Sequence, residues 1–302
     1  YFMKKVNRVS KVAIAALCAA FAVLNVGPLV GQAAKADELE NTANETFYCA
    51  DGDDDFIYGG EGETADATYE IEFDYYEIVE DVSYYSAPSF GNSDSSITNS
   101  CAPAAGTNVV VFYDRWYENL VPDYIPGILL GSGYYFYYPD GMDSATQTVL
   151  ATLYHLMDTN VGSGGTSQSQ FLNGLSEYVD NAGYDLSYTS FYKGTKTVDL
   201  DALKDAINQN KVGIVFCSKY NFVYDILHPV GENYMRIIKE DANIGHMMMV
   251  YGYKTIAYYK NDINFRTDTF LYVSSGYSTS DQGYMELDSY LNIDDALIMT
   301  IS

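Results

Sequence analysis

Cys101 and His246 are the two side chains of this sequence whose types and settings together suit nucleophilic chemistry. Cys101 opens the run Cys101-Ala102-Pro103-Ala104-Ala105-Gly106, directly before a strong helical pattern. In that pattern Ala105, Val109, Phe112, Trp116 and Leu120 recur at spacings of three and four, one apolar face of a helix. Pro103 suits the first turn, where its missing N–H is not needed, and Asn99 or Ser100 is placed to cap the free amides. A thiol there lies at the positive end of the helix dipole, which favours the nucleophilic thiolate. The bland reading of a lone cysteine is a small buried apolar residue. His246 weighs against it. It begins Met247-Met248-Met249-Val250-Tyr251-Gly252-Tyr253, which reads as a buried strand ending in a glycine turn. A second strand, Thr269 to Val273, leads to Ser274-Ser275-Gly276-Tyr277, where a group orienting the imidazole belongs. Nucleophile at a helix start, base at a strand start and orienter on the next strand is the logic of cysteine catalysis.

The elements that must position these groups are legible in outline. Val149, Leu153, Leu156 and Met157 predict a second helix, and Phe171, Leu172, Leu175, Tyr178 and Val179 a third, stopped by Gly183. Tyr184 to Tyr188 alternates as a half-buried strand. Asp199 or Asp201 caps a helix through Leu203 and Ile207, and a buried strand runs from Val212 to Cys217. Pro122 to Pro139 reads as a Gly/Tyr-rich connection, and the lone tryptophan, Trp116, as core on the first helix.

The other candidate sites are weaker. His155, among Tyr154, Leu156 and Met157, reads as a structural histidine on a helix, and His228 precedes Pro229 in a loop. Three histidines without a paired ligand spacing do not make a zinc site, and no cofactor or metal is called for. Asp51-Gly52-Asp53-Asp54-Asp55 lacks the later Gly and Glu of an EF-hand calcium loop. Gly162 to Thr166 lacks the Gly-Lys-Ser/Thr ending of a phosphate-binding loop.

The N-terminus reads as a secretory signal. Lys4, Lys5, Arg8 and Lys11 precede a small and apolar stretch from Val12 to Leu24, and Ala34-Lys35-Ala36 fits a cleavage site. Asn25, Gly27 and Pro28 interrupt the apolar run, which argues against a permanent span. The organisation expected is a signal over residues 1–36, an acidic Tyr-rich extension over 37–87, and one domain over 88–302. The extension suits a propeptide-like cover of the cleft, a β-rich addition or a flexible leader. The chain has 16 Lys and Arg against 41 Asp and Glu, a formal net charge of −25, and loss of the basic leader makes it more negative. Such a field repels nucleic acid and anionic membranes. A secreted, extracellular monomer acting on a peptide or protein substrate is the partner reading. After the signal only Cys49, Cys101 and Cys217 remain, no disulfide framework; Cys217 reads as strand core.

The segments around Cys101 and His246 resemble a known family. Cys-Ala-Pro-Ala-Ala is similar to the Cys-Gly-Pro-Thr-Ala helix start of bacterial papain-like cysteine peptidases, nearest the branch of double-glycine leader peptidases. Gly245-His246 before an apolar strand and Gly252-Tyr253 is similar to that family's histidine strand, and Thr166-Ser167 opening a helix closed at Gly183-Tyr184 matches its middle. The resemblance covers residues 88 to 302. It implies an α+β, papain-like fold, with an N-terminal helical half carrying Cys101 and a C-terminal antiparallel β half carrying His246. It implies Cys101 as nucleophile and His246 as acid/base, with Ser275 or Ser274 standing where the family has Asp or Asn. A hydroxyl there accepts the imidazole N–H but brings no charge to stabilise imidazolium. The family's oxyanion glutamine falls at Ser95, with Asn99 as an amide substitute. The alternative implied by these departures is a catalytically silent domain that binds an extracellular peptide or surface. N-terminal sequencing of protein recovered from an export host should begin near Asp37; a start at Met3 would sink the signal.

Overall fold

From Val212 onward the sequence carries apolar residues at consecutive positions, and such runs satisfy both faces only as strands buried on each side. A computed structural model of the chain describes residues 57–59, 62–92, 96–138, 144–162, 164–231, 233–276 and 282–302. Among them lie four helices: α1 (Cys101–Asp114), α2 (Ser144–Leu156), α3 (Gln168–Asn181) and α4 (Leu200–Asn208). The early strands are β1 (Ile57–Tyr58), β2 (Glu63–Glu72), β3 (Tyr75–Ser83), β4 (Gly127–Leu129), β5 (Tyr135–Tyr137) and β6 (Thr166–Ser167). Then come β7 (Leu186–Ser190), β8 (Tyr192–Gly194), β9 (Thr197–Val198), β10 (Val212–Gly231) and β11 (Tyr234–Asn243). The last are β12 (His246–Lys260), β13 (Ile263–Ser274), β14 (Gln282–Glu286) and β15 (Asn292–Ile301). Every ladder between them is antiparallel.

Nine strands share one sheet that closes on itself. The first part of β10 pairs with β12, β12 with β13, β13 with β14, and β14 returns to β10 at Val223↔Tyr284. Side chains alternate across a strand, so each strand of this circuit serves two cores. Val215, Cys217, Met248 and Val250 join Leu271, Val273 and Met285 in one cluster. Their neighbours Ile214, Phe216, Met247 and Met249 face the other way, onto α1 and α3 residues such as Val109, Phe112, Phe171 and Leu175. α1 packs on β12, α2 and α3 and is buried along all 14 residues.

The papain-like α+β fold, with a helical N-terminal half, is contradicted: the described chain is mostly antiparallel sheet. Sheet replaces helix partly because Glu63–Glu72 and Tyr75–Ser83, ahead of Cys101, pair along their lengths with β11 and β12. His228-Pro229, a loop by sequence, lies within β10, whose ladder with β11 shifts register on either side and so absorbs a residue that lacks an N–H.

Several local expectations hold. Ser167 caps α3 through a full capping box with Gln170, and Gly183 follows that helix at φ 89°. The Asp199 carboxylate accepts the Ala202 N–H at the start of α4. Trp116 differs: it lies beyond the end of α1, 41% exposed, under the Arg115 guanidinium. Cys49 and Asp51–Asp55 lie outside the described residues.

The C-terminal end of α1 holds a buried carboxyl. Asp114 accepts the Val121 N–H at 2.9 Å, and burial pushes its pKa up to about 7, against the pull of that amide. A carboxyl raised on folding favours the folded state below the unfolded pKa near 4, and that contribution is lost as pH rises through about 7. Asp114→Asn keeps the acceptor oxygen and removes the cost of ionisation. It should therefore be more stable than the parent at pH 8, by ~1–3 kcal/mol in urea unfolding, with the gain shrinking toward pH 4. Equal gains at both pH values would refute this.

Candidate functional site

α1 begins at Cys101, and the thiol takes the place of a cap. Ser100 precedes it at φ −90° with no side-chain capping bond, while its carbonyl accepts the Ala104 N–H at 2.8 Å. The amides of Met247, Ala102 and Cys101 itself point at the sulfur. Met247 belongs to β12, so the helix start and the strand start meet at this atom. Cys101 and His246 line one cleft of about 240 Å³, together with Asn99, Ser100, Gly245 and Gly276.

The imidazole of His246 is 2% exposed and lies nearly parallel to the Tyr220 ring, centroids 4.9 Å apart. Its Nε2 is 2.7 Å from the main-chain oxygen of Ser275. A carbonyl only accepts, so Nε2 carries the hydrogen and the neutral ring keeps its lone pair on Nδ1. Gly276 presses this loop against α1: a Cβ there would come 3.1 Å from that of Ala104.

The third member of the arrangement thus comes from Ser275, but through its main chain. The Ser274 hydroxyl turns away to donate to the Pro88 carbonyl. Asn99 lines the cleft, held by an Nδ2–H bond to Asn160 Oδ1 at 2.6 Å. Ser95 lies outside the described residues. His155 is exposed at the last turn of α2 and stands apart from the cleft.

Burial outweighs the helix dipole at the sulfur. Desolvation pushes the Cys101 thiol up to about 11, against the three amides that favour thiolate. Desolvation likewise drives His246 down to about 4, only partly offset by the Ser275 carbonyl. The resting pair is therefore a neutral thiol and a neutral imidazole, where the sequence alone led us to expect a thiolate.

Three participants escaped the sequence reading. Tyr220 had no motif to mark it, and Met247 contributes an amide that any residue would supply. Gly59 lines the cleft as well, and the pair Gly59-Gly60 beside Tyr58 was the available signal. Neither a protein-family model nor a curated protein matches this chain. Among the described residues no helix is long and apolar enough to cross a membrane.

The neutral resting pair has a measurable sign. Iodoacetamide labelling of Cys101, followed by peptide mapping, should be slow at pH 6 and accelerate through pH 9–10 as thiolate forms. Rapid labelling at pH 5–6 would instead reveal an ion pair.

Proposed function

We propose that this protein is an exported cysteine peptidase. The observation that supports the reading best is the shared cleft of Cys101 and His246, with the imidazole N–H held on the Ser275 carbonyl and the lone pair left on Nδ1. In this mechanism the thiol passes its proton to Nδ1 as sulfur attacks the scissile carbonyl carbon. The Ser275 carbonyl steadies the imidazolium through Nε2–H. The oxyanion of the tetrahedral intermediate takes the Cys101 N–H, with Asn99 Nδ2 as the second donor. Collapse expels the amine, which receives the proton from His246, and water then hydrolyses the thioester. The acidic surface argues for a peptide or protein substrate over nucleic acid, and the chain acts as a secreted monomer.

A second reading, a silent peptide-binding domain, draws on the depressed His246 and raised Cys101, which make proton transfer uphill at rest. The two readings separate by mutation. Peptide hydrolysis by the protein should vanish in Cys101→Ala and fall about 10²–10⁴-fold in His246→Ala. Ser275→Ala should cost little, because its role is carried by the main chain. Hydrolysis that survives Cys101→Ala would refute the mechanism, and peptide binding without turnover would favour the silent domain.

A further inference from the structure

A second cavity, of about 450 Å³, lies on the large sheet and shares no residue with the Cys101 cleft. Six of its eight lining residues are tyrosines: Tyr84, Tyr85, Tyr224, Tyr251, Tyr272 and Tyr284. We infer that this cavity binds a neutral saccharide, whose ring packs on the tyrosine faces while its hydroxyls bond the buried Tyr251 hydroxyl.

The register of the sheet builds this site. Ser83, Gly252, Tyr272, Tyr284 and Val223 stand opposite one another in one row across β3, β12, β13, β14 and β10. Directly opposed residues share a face, so Tyr272 and Tyr284 lie side by side, ring centroids 4.9 Å apart and inclined by 54°. Beside them β12 is bulged: Val250 and Gly252 pair with the successive residues Val273 and Tyr272, which leaves Tyr251 as the extra residue. Its ring centroid lies 5.7 Å from that of Tyr272. Tyr85 and Tyr224 are the outermost of the six, each 53% exposed, and Tyr85 is held by stacking on Tyr134 at 5.3 Å.

The chemistry of the wall selects the ligand. No charged side chain lines the cavity. Burial raises the Tyr251 and Tyr272 phenols, so both stay protonated at neutral pH. The Tyr272 hydroxyl donates to Asp81 Oδ1 at 2.9 Å, and the Tyr84 hydroxyl lies 2.9 Å from the carbonyl oxygens of Ile207 and Lys211. These two offer the ligand their rings alone. Tyr251 differs: it is 5% exposed, and among the described residues its hydroxyl makes no hydrogen bond. A buried polar group without a partner is costly, and a ligand hydroxyl relieves that cost. A cation has no use for the Tyr251 O–H, and the Tyr272 ring already meets the Lys254 ammonium at 5.4 Å. An anion finds no positive group on the wall, in a chain of net charge −25. A sugar matches both halves of a tyrosine. Its weakly positive C–H groups pack on the negative ring face, and its hydroxyls donate and accept.

The test titrates the full chain with cellotriose, maltotriose and chitotriose to about 10 mM, past the millimolar range of weak binding, by calorimetry and saturation-transfer NMR. At least one should bind, with transfer to its ring C–H protons. Tyr284→Ala should weaken that sugar at least about tenfold, and Tyr251→Phe about threefold to tenfold, as loss of one hydrogen bond does. Tyr251→Phe should also unfold at or above the parent's urea midpoint. A lower midpoint with unchanged binding would mark a structural hydroxyl and overturn the proposal. Should Tyr284→Ala fail to fold, Tyr224→Ala, at an exposed ring, takes its place with a loss of at least about threefold; no loss would overturn it. Failure of all three sugars to bind would do the same. So would tetramethylammonium or acetyl-tetraproline-amide binding more tightly than any sugar and losing that binding in Tyr284→Ala. Cys101→Ala should bind the sugar as the parent does, whether or not the parent hydrolyses peptides. Loss of sugar binding in Cys101→Ala would place the ligand in the other cleft and overturn this site.

Discussion

The ladder between Gly213–Cys217 and His246–Val250 is the constraint on which the site depends. Both strands are buried on both faces, so their amides and carbonyls have no water to turn to and must pair with each other. That requirement locks the register. Register in turn sorts Met247 and Met249 to the helical side, Met248 and Val250 to the other, and sets His246 at the strand's first position. The Met247 amide is then fixed at the Cys101 sulfur. The ladder thus positions the imidazole directly, and it meets the thiol through the Met247 amide.

On the neighbouring strands β11, β13 and β14 a second, ionic constraint holds the sheet. Lys239, almost wholly buried on β11, reaches Glu286 on β14 at 3.3 Å and the following Asp288. Arg266 on β13 forks onto Asp268, with both Oδ atoms at 2.8 Å. Charges removed from water in this way must be matched, and removing one partner costs far more than the pair contributes. A strongly acidic chain thus sets Lys239 and Arg266, two of its few cations, among the carboxylates of β13 and β14.

The helical part of the site was legible because its signals are local. Pro103 after Cys101, Ser167 at the start of its helix and Asp199 each act within one helical turn, and each appears where the sequence placed it. The start of β12 was legible from its apolar run. The sheet as a whole was not. Glu63–Ser83 is acidic and largely exposed, and only its partners β11 and β12 make it strand. The pairing of β10 through His228-Pro229 depends on register shifts that no propensity encodes. The imidazole's partner was expected to be a hydroxyl and is a carbonyl, a group every residue carries and no side chain announces. The charge state of the pair escaped for a related reason: a helix terminus is a local feature, whereas desolvation is set by everything packed around it.

Gly59 is joined to β2 at Glu63 through only Gly60, Glu61 and Gly62. A strand on so short a link meets its partners β6 and Gly245 at an effective concentration of ~mM or more, whatever the concentration of the protein. Contacts too weak to hold a free tripeptide therefore suffice to hold this one. A single cut in that link would leave the two-residue strand to its contacts alone, against the full cost of ordering it.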